Sequence, residues 1–194
     1  MKSYLITDPL YYGNDPEIFS KRLTTALRKN RIDIACFRDK VTPDKEELMI
    51  AFLETIKAKS PDTKAFINGD LESAIKLGAA GVHLNSLQRG LIKQCADSSL
   101  LCAFSAHSFE DIEFAQSAGA SFVTFSPIFN SPGKGKPLGL DLLKRAVSSF
   151  CIPIFALGGI DRESRVRAVG ACGVEGFASI RYFAKSLHTI NDTI

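Results

Sequence analysis

Tryptophan is missing from this 194-residue chain, methionine occurs only twice and histidine only three times. His83, His107 and His188 are far apart, and the five cysteines (Cys36, Cys95, Cys102, Cys151 and Cys172) form no C-x-x-C pair. Zinc-ligand spacing is therefore absent, and an odd number of scattered thiols argues against a disulfide framework. Cys36, Cys102 and Cys151 sit in or beside apolar runs and read as small buried hydrophobes, which fits the cytoplasm. A large excess of one charge is lacking too. The 24 Lys and Arg alternate with 21 Asp and Glu for a net charge of +3, so there is no basic stripe to bind nucleic acid. No run approaches the roughly 20 apolar residues of a membrane span. The apolar start Tyr4-Leu5-Ile6-Thr7 is cut off by Asp8, unlike a signal peptide. No Ser-His-Asp set and no dinucleotide-binding glycine fingerprint appears.

What the chain does contain is a recurring pair of patterns. Short apolar runs at residues 4–7, 32–37, 65–68, 82–84, 100–104, 122–125, 154–157 and 176–178 predict eight strands. Amphipathic stretches between them predict helices. Residues 17–29 place Ile18, Leu23, Ala26 and Leu27 on one face. Thr42-Pro43 reads as an N-cap with proline at the first helical position of a helix running to about Lys59. Asp70 caps a short helix, residues 87–96 form another, and Ser108-Phe109-Glu110-Asp111 resembles a capping box. Helices over 141–149 and 163–169 and one at the C-terminal end complete the series. Gly78, Gly119 and Gly170, each followed by Ala, suit the left-handed position that ends a helix. The strands are continuous apolar runs rather than strict alternations, so both their faces are buried, as in a parallel sheet covered by helices. The expectation is a single α/β domain over residues 1–194, a (β/α)8 TIM barrel, although barrels of this kind typically need about 250 residues.

In such a barrel, chemistry gathers at the C-terminal ends of the strands. Gly158-Gly159 ends the seventh strand, where paired glycines let backbone N–H groups approach an anion. Ile180-Arg181 opens a helix after the eighth, and these two loops form the usual phosphate cup of βα barrels. Arg38 and Lys40 end the second strand at period-two spacing, so both point one way and suit phosphate or pyrophosphate. Lys134 and Lys136 sit in a Gly/Pro-rich loop over 130–138 that could close over a charged ligand, although a lysine in a surface loop commonly does nothing. His107 follows the fifth strand beside Ser105, a place for a general acid or base. His83, inside an apolar strand, reads as a satisfied core histidine, and His188 as idle.

Taken in order, these pieces resemble the thiamine phosphate synthase/TenI superfamily. The resemblance runs from Tyr4-Leu5-Ile6-Thr7-Asp8 through Phe37-Arg38-Asp39-Lys40, Ile67-Asn68-Gly69-Asp70 and Gly81-Val82-His83-Leu84. It continues through Ser105-Ala106-His107-Ser108, Phe125-Ser126-Pro127-Ile128-Phe129, Lys134 and Leu157-Gly158-Gly159-Ile160. It implies that Arg38, Lys40 and Lys134 hold pyrophosphate, that Gly158, Gly159, Ile180 and Arg181 hold a thiazole phosphate, and that Asn68, Ser105 and Ser131 line the substrate. The partners implied are small phosphorylated thiazole and pyrimidine metabolites, and a homodimer is left open.

The departures decide between branches. The synthase pattern has glutamine where this chain has Cys36, and aspartates that would bind Mg²⁺ where it has Gly69 and Gln88; Asp70 is the carboxylate nearest to one of them. The TenI branch has its catalytic histidine just before Ile128-Phe129, where this chain, like synthases, has Pro127; His107 is the nearby substitute. The serine that binds phosphate before the last helix is replaced by Arg181. The resulting expectation is a divergent TenI-like protein of thiamine biosynthesis that binds thiazole phosphate or thiamine phosphate. A working synthase with Mg²⁺ is the enzymatic alternative, and a non-catalytic regulatory binder is the other.

Overall fold

Alternation along each strand sorts the side chains into two cores. In the computed structural model, which describes residues 1–185 and 187, the strands are β1 (Lys2–Ile6), β2 (Ile34–Phe37), β3 (Lys64–Asn68) and β4 (Gly81–Leu84), followed by β5 (Leu101–Ala106), β6 (Phe122–Phe125), β7 (Ile154–Leu157) and β8 (Gly176–Ser179). Each pairs in parallel with the next, and β8 returns to β1 through Ser3 opposite Phe177 and Leu5 opposite Ser179, which closes the barrel. Tyr4, Ile6, Ile34, Cys36, Phe66, Ala103, Phe122, Phe155 and Ala178 fill its interior. Their strand neighbours, among them Leu5, Ala35, Phe37, Ile67, Phe104, Val123 and Phe177, pack outward against the helices. Gly81 and Gly176 make room for the interior rings, since a Cβ on either would run into Phe66 or Phe155 respectively.

The connecting segments are short, and this is how so few residues close a barrel. The helices are α1 (Pro9–Tyr12), α2 (Pro16–Lys29), α3 (Glu46–Lys59), α4 (Leu71–Lys76), α5 (Ile92–Asp97), α6 (Phe109–Ser117), α7 (Gly139–Ser149), α8 (Glu163–Gly170) and α9 (Arg181–Ala184). A 3₁₀ segment, Ser86–Leu91, precedes α5, where one continuous helix is predicted from the sequence. Asp15, Asp70 and Ser108 cap α2, α4 and α6 through their side chains.

Several expectations are corrected. Thr42-Pro43 does not start α3, whose N-cap is Lys45. The Asp39 carboxylate captures the amides of Val41 and Thr42 and the Thr42 hydroxyl, and holds this stretch in a turn instead. Gly170 lies inside α8 and Gly173 takes the left-handed conformation there, whereas Gly78 and Gly119 have positive φ as anticipated. Cys151 is exposed rather than buried. His188 lies outside the described residues. Among the described residues no helix is long and apolar enough to cross a membrane.

Candidate functional site

Following the inward-facing positions up each strand leads out of the apolar interior and into a cavity of about 540 Å³ at the C-terminal mouth. The same parity that buries Ile6, Cys36, Phe66 and Ala103 brings up Asp8, Arg38, Asn68 and Ser105. His107 and Ser126 follow on β5 and β6, and Gly159 and Ile180 on β7 and β8. All eleven residues singled out for catalysis, phosphate or substrate therefore line one hollow: Arg38, Lys40, Asn68, Ser105, His107, Ser131, Lys134, Gly158, Gly159, Ile180 and Arg181. Lys136 does not line it, and neither does Asp70.

One wall is a pair of backbone turns. Gly158 has φ +100° and Gly159 φ +68°, values that disfavour any side chain. Space forbids one as well, since a Cβ on Gly158 would lie 2.7 Å from Pro127 Cα, and one on Gly159 would lie 2.7 Å from the Asn130 carbonyl oxygen. The β7 turn is stitched to the loop after β6 by Ile128 N–H to Leu157 O (2.9 Å) and Phe129 N–H to Gly158 O (3.0 Å). Buried Ser179 joins it to the β8 end. Its hydroxyl donates to the Ile160 carbonyl at 2.6 Å and accepts from the Tyr182 amide at 3.1 Å. The two turns that should share an anion are therefore neighbours. Within the described residues the amides of Gly159, Ile160, Ile180 and Arg181 find no protein acceptor.

The cavity carries four cationic side chains, Arg38, Lys40, Lys134 and Arg181, against one carboxylate, Asp8. Asp8 is spoken for: it accepts from Arg38 Nη1 at 2.7 Å and from the Leu10 amide at 3.2 Å. Among the described residues Lys40, Lys134 and Arg181 have no ion-pair partner. The charge of Arg38, partial burial and the charge of Lys134 all push the Lys40 ammonium below its ordinary pKa. Mutually repelling cations held together in a hollow are the arrangement expected of a multiply charged anion site.

The two described histidines sit differently. His83 is buried beneath the cavity, hydrogen bonded to the Tyr4 hydroxyl (2.8 Å), Ser105 (3.1 Å) and Thr124 (3.3 Å). Burial first, and the Arg38 charge second, push its pKa down to about 4, so it is neutral at physiological pH. Its Nε2 also reaches the wall, where it orients Ser105. His107 places Nδ1 2.8 Å from the Ser126 carbonyl oxygen. A carbonyl only accepts, so Nδ1 carries the proton and Nε2 keeps a basic lone pair. Cys36 lies in the barrel interior, its thiol pushed up to about 12 chiefly by burial, and is inert as a nucleophile.

Carboxylates that could hold a hard dication are not assembled here. The Asp70 oxygens accept from the Ser73 amide (2.9 Å) and hydroxyl (2.7 Å) as a helix cap, away from the cavity. Positions 69 and 88 do adjoin, but through a neutral contact in which Gln88 Nε2 donates to the Gly69 carbonyl at 2.7 Å. No group of three or more His, Cys, Asp or Glu among the described residues could hold a metal ion.

A model of the thiamine monophosphate synthase family matches residues 3–183. The chain belongs to that family. Its relatives include the putative thiamine-phosphate synthase 2 of Aquifex aeolicus, 34% identical over 93% of this chain and 96% of that one. Another is the thiamine-phosphate synthase of Lactococcus lactis, 27% identical over 78% of this chain and 73% of that one. Among solved structures, the thiamine phosphate pyrophosphorylase of Pyrococcus furiosus is 25% identical with a TM-score of 0.80, covering 97% of this chain and 94% of that one. An N-acetylmannosamine-6-phosphate 2-epimerase from Clostridium perfringens, 12% identical with a TM-score of 0.69 over 97% of this chain and 90% of that one, shares the fold alone.

Sequence reasoning missed Asp8, Asn85 and Tyr11, which also line the hollow. Asp8 was legible in principle, because it continues the inward parity of Tyr4 and Ile6. Tyr11 comes from α1, a four-residue helix too short for a periodicity signal.

Proposed function

We propose that the protein binds a thiazole phosphate with its phosphate on the Gly159 and Ile180 turns, and acts on it as a TenI-like proton-transfer enzyme of thiamine biosynthesis. The observation that carries the reading is the pair of turns, stitched by Ser179 and opening on the cavity that His107 lines. The free amides and the Arg181 side chain bind the phosphate dianion. Asn68 and Ser105 set the ring, and Ser131 closes one side. His107 Nε2 accepts the proton that leaves the ring and returns it to another carbon of the same molecule, which aromatises the ring without any other change in composition. Ser126 O holds the imidazole in the tautomer this requires.

Mg²⁺ is the cofactor of the alternative synthase reading, and the donors present do not fit it. A hard dication wants carboxylate oxygens, whereas Gln88 and Gly69 offer an amide and a backbone, and Asp8 and Asp70 are otherwise engaged. One observation still favours the synthase: Arg38, Lys40 and Lys134 converge where the resemblance puts the leaving pyrophosphate.

Purified protein incubated with the thiazole carboxylate phosphate tautomer, with product followed by the absorbance of the aromatic ring, tests the proposal. Turnover that falls at least about 100-fold in His107→Ala, as for loss of a general base, supports it. Formation of thiamine phosphate from pyrimidine pyrophosphate and thiazole phosphate, abolished in Lys134→Ala, would replace it with the synthase. Saturable binding of thiazole phosphate with neither reaction would leave a non-catalytic binder.

A further inference from the structure

We infer that Arg165, which does not line the cavity, is a positioning residue that sets the phosphate cup from behind; the inference rests on the thiazole phosphate reading above. Arg165 sits in the first turn of α8 with its side chain about a quarter exposed. Its Nη1 donates to the Gly159 carbonyl at 2.6 Å and to Asp161 Oδ1 at 3.2 Å. The guanidinium carbon stands 5.0 Å from the centroid of the Phe129 ring. Three points fix this cation: a carbonyl, a carboxylate and an aromatic face.

The consequence follows from peptide geometry. The bond between Gly159 and Ile160 is trans, Ser126-Pro127 being the cis bond of the described chain. In a trans peptide the C=O and the next N–H point in opposite directions. Arg165 draws the Gly159 oxygen away from the hollow, so the Ile160 N–H turns toward it. Ile160 lines the cavity and its amide has no protein acceptor among the described residues. A guanidinium on the carbonyl also polarises the peptide and strengthens its N–H as a donor. The Ile160 carbonyl is fixed in turn by Ser179 at 2.6 Å. Two consecutive carbonyls are therefore held by named donors, and the intervening amide is aimed by both. Phe129 leads into the 130–138 loop that carries Lys134, so the same guanidinium braces the cup against that loop.

Calorimetric titration of the full chain with thiazole phosphate and with its dephosphorylated alcohol tests this in wild type, Arg165→Met and Arg165→Lys, with a melting curve for each. Arg165→Met keeps the stem that covers Phe129 and removes the donor. Expected is a loss of roughly 10-fold in thiazole phosphate affinity, the size of one hydrogen bond to a charged group, with the affinity for the alcohol unchanged. Arg165→Lys should restore part of the loss, since a single donor can still reach the Gly159 oxygen. An equal loss for both ligands would show a merely structural role and overturn the inference. Unchanged phosphate affinity in Arg165→Met would overturn it as well. If wild type binds phosphate and alcohol equally, the cup itself fails and the inference falls with it, a result distinct from the other two because it appears before any substitution is made.

Discussion

Removing the Ser179 hydroxyl should loosen the fold and the site together. Ser179 is buried, and its oxygen is both a donor to the Ile160 carbonyl (2.6 Å) and the acceptor for the Tyr182 amide (3.1 Å). Ser179→Ala deletes one atom and creates no cavity of consequence, so the cost is that of orphaned polar groups. The Tyr182 amide loses the equivalent of a helix cap, typically about 1 kcal/mol. The buried Ile160 carbonyl loses its donor, costing about 1–2 kcal/mol. Together they predict a loss of about 2–3 kcal/mol, read as a shift in the urea midpoint with an unchanged slope. Because those two bonds join the β7 turn to the start of α9, the turns should drift apart, and thiazole phosphate should bind about 10-fold more weakly in calorimetry. Ser179→Cys, nearly the same shape with a poorer donor, should fall between. Unchanged stability with full phosphate affinity in Ser179→Ala would refute the claim that this hydroxyl holds the cup together.

Three further outcomes follow from the same geometry. His83 has a folded pKa of about 4 against 6.5 unfolded, so between those values the unfolded chain binds the extra proton and stability falls as pH falls; the loss by pH 4 is about 3 kcal/mol. Urea midpoints from pH 7 to pH 4 should show that slope in wild type and lose most of it in His83→Gln, and an identical slope in both would exclude His83 as its source. The Lys40 pKa is lowered by Arg38, burial and Lys134, so a bound anion should raise it again. At a pH alkaline enough that pyrophosphate is fully ionised, its binding should then take up protons, seen by calorimetry in buffers of different ionisation enthalpy, and Lys40→Met should reduce the uptake. Gly158→Ala must put a Cβ 2.7 Å from Pro127 Cα at φ +100°, so it should cost about 2–4 kcal/mol in strain and overlap and displace the β7 turn, measured by urea unfolding.

The barrel could be read from the chain because its strands are buried over most of their length and appear as apolar runs, separated by segments of helical spacing. The helix starts were legible at Asp70 and Ser108, where a side chain does the capping, and illegible at α3, whose N-cap Lys45 makes no side-chain cap. Thr42-Pro43 has the residues of a helix start, but Asp39 competes for the same donors and wins with three hydrogen bonds. The 3₁₀ segment ahead of α5 is likewise invisible in periodicity, since its start is held by a reciprocal side-chain clasp between Asn85 and Gln88.

The cavity residues owe their legibility to parity. On a closed barrel the inward positions of every strand converge on the axis, so the next inward residue beyond each apolar pair faces the mouth. This brings Arg38 to the cavity two residues after Cys36, and Ser105 and His107 two and four after Ala103. It says nothing of groups that act across the sequence. Arg165 reaches the Gly159 carbonyl from its own helix, Ser179 the Ile160 carbonyl from 19 residues away, and Gln88 the Gly69 carbonyl across the same interval. All three acceptors are backbone oxygens, which look identical at every position in a sequence. The resemblance puts metal-binding carboxylates at the positions of Gly69 and Gln88; here a neutral side chain to backbone bond stands in their place and joins the two loops. If that substitution is what fixes the mouth here, then Gln88→Ala should lower the melting temperature without changing the affinity for pyrophosphate, whether or not Mg²⁺ is added. A Mg²⁺-dependent gain in pyrophosphate affinity in wild type would show that oxygen donors other than these carboxylates suffice, and would return the synthase to first place.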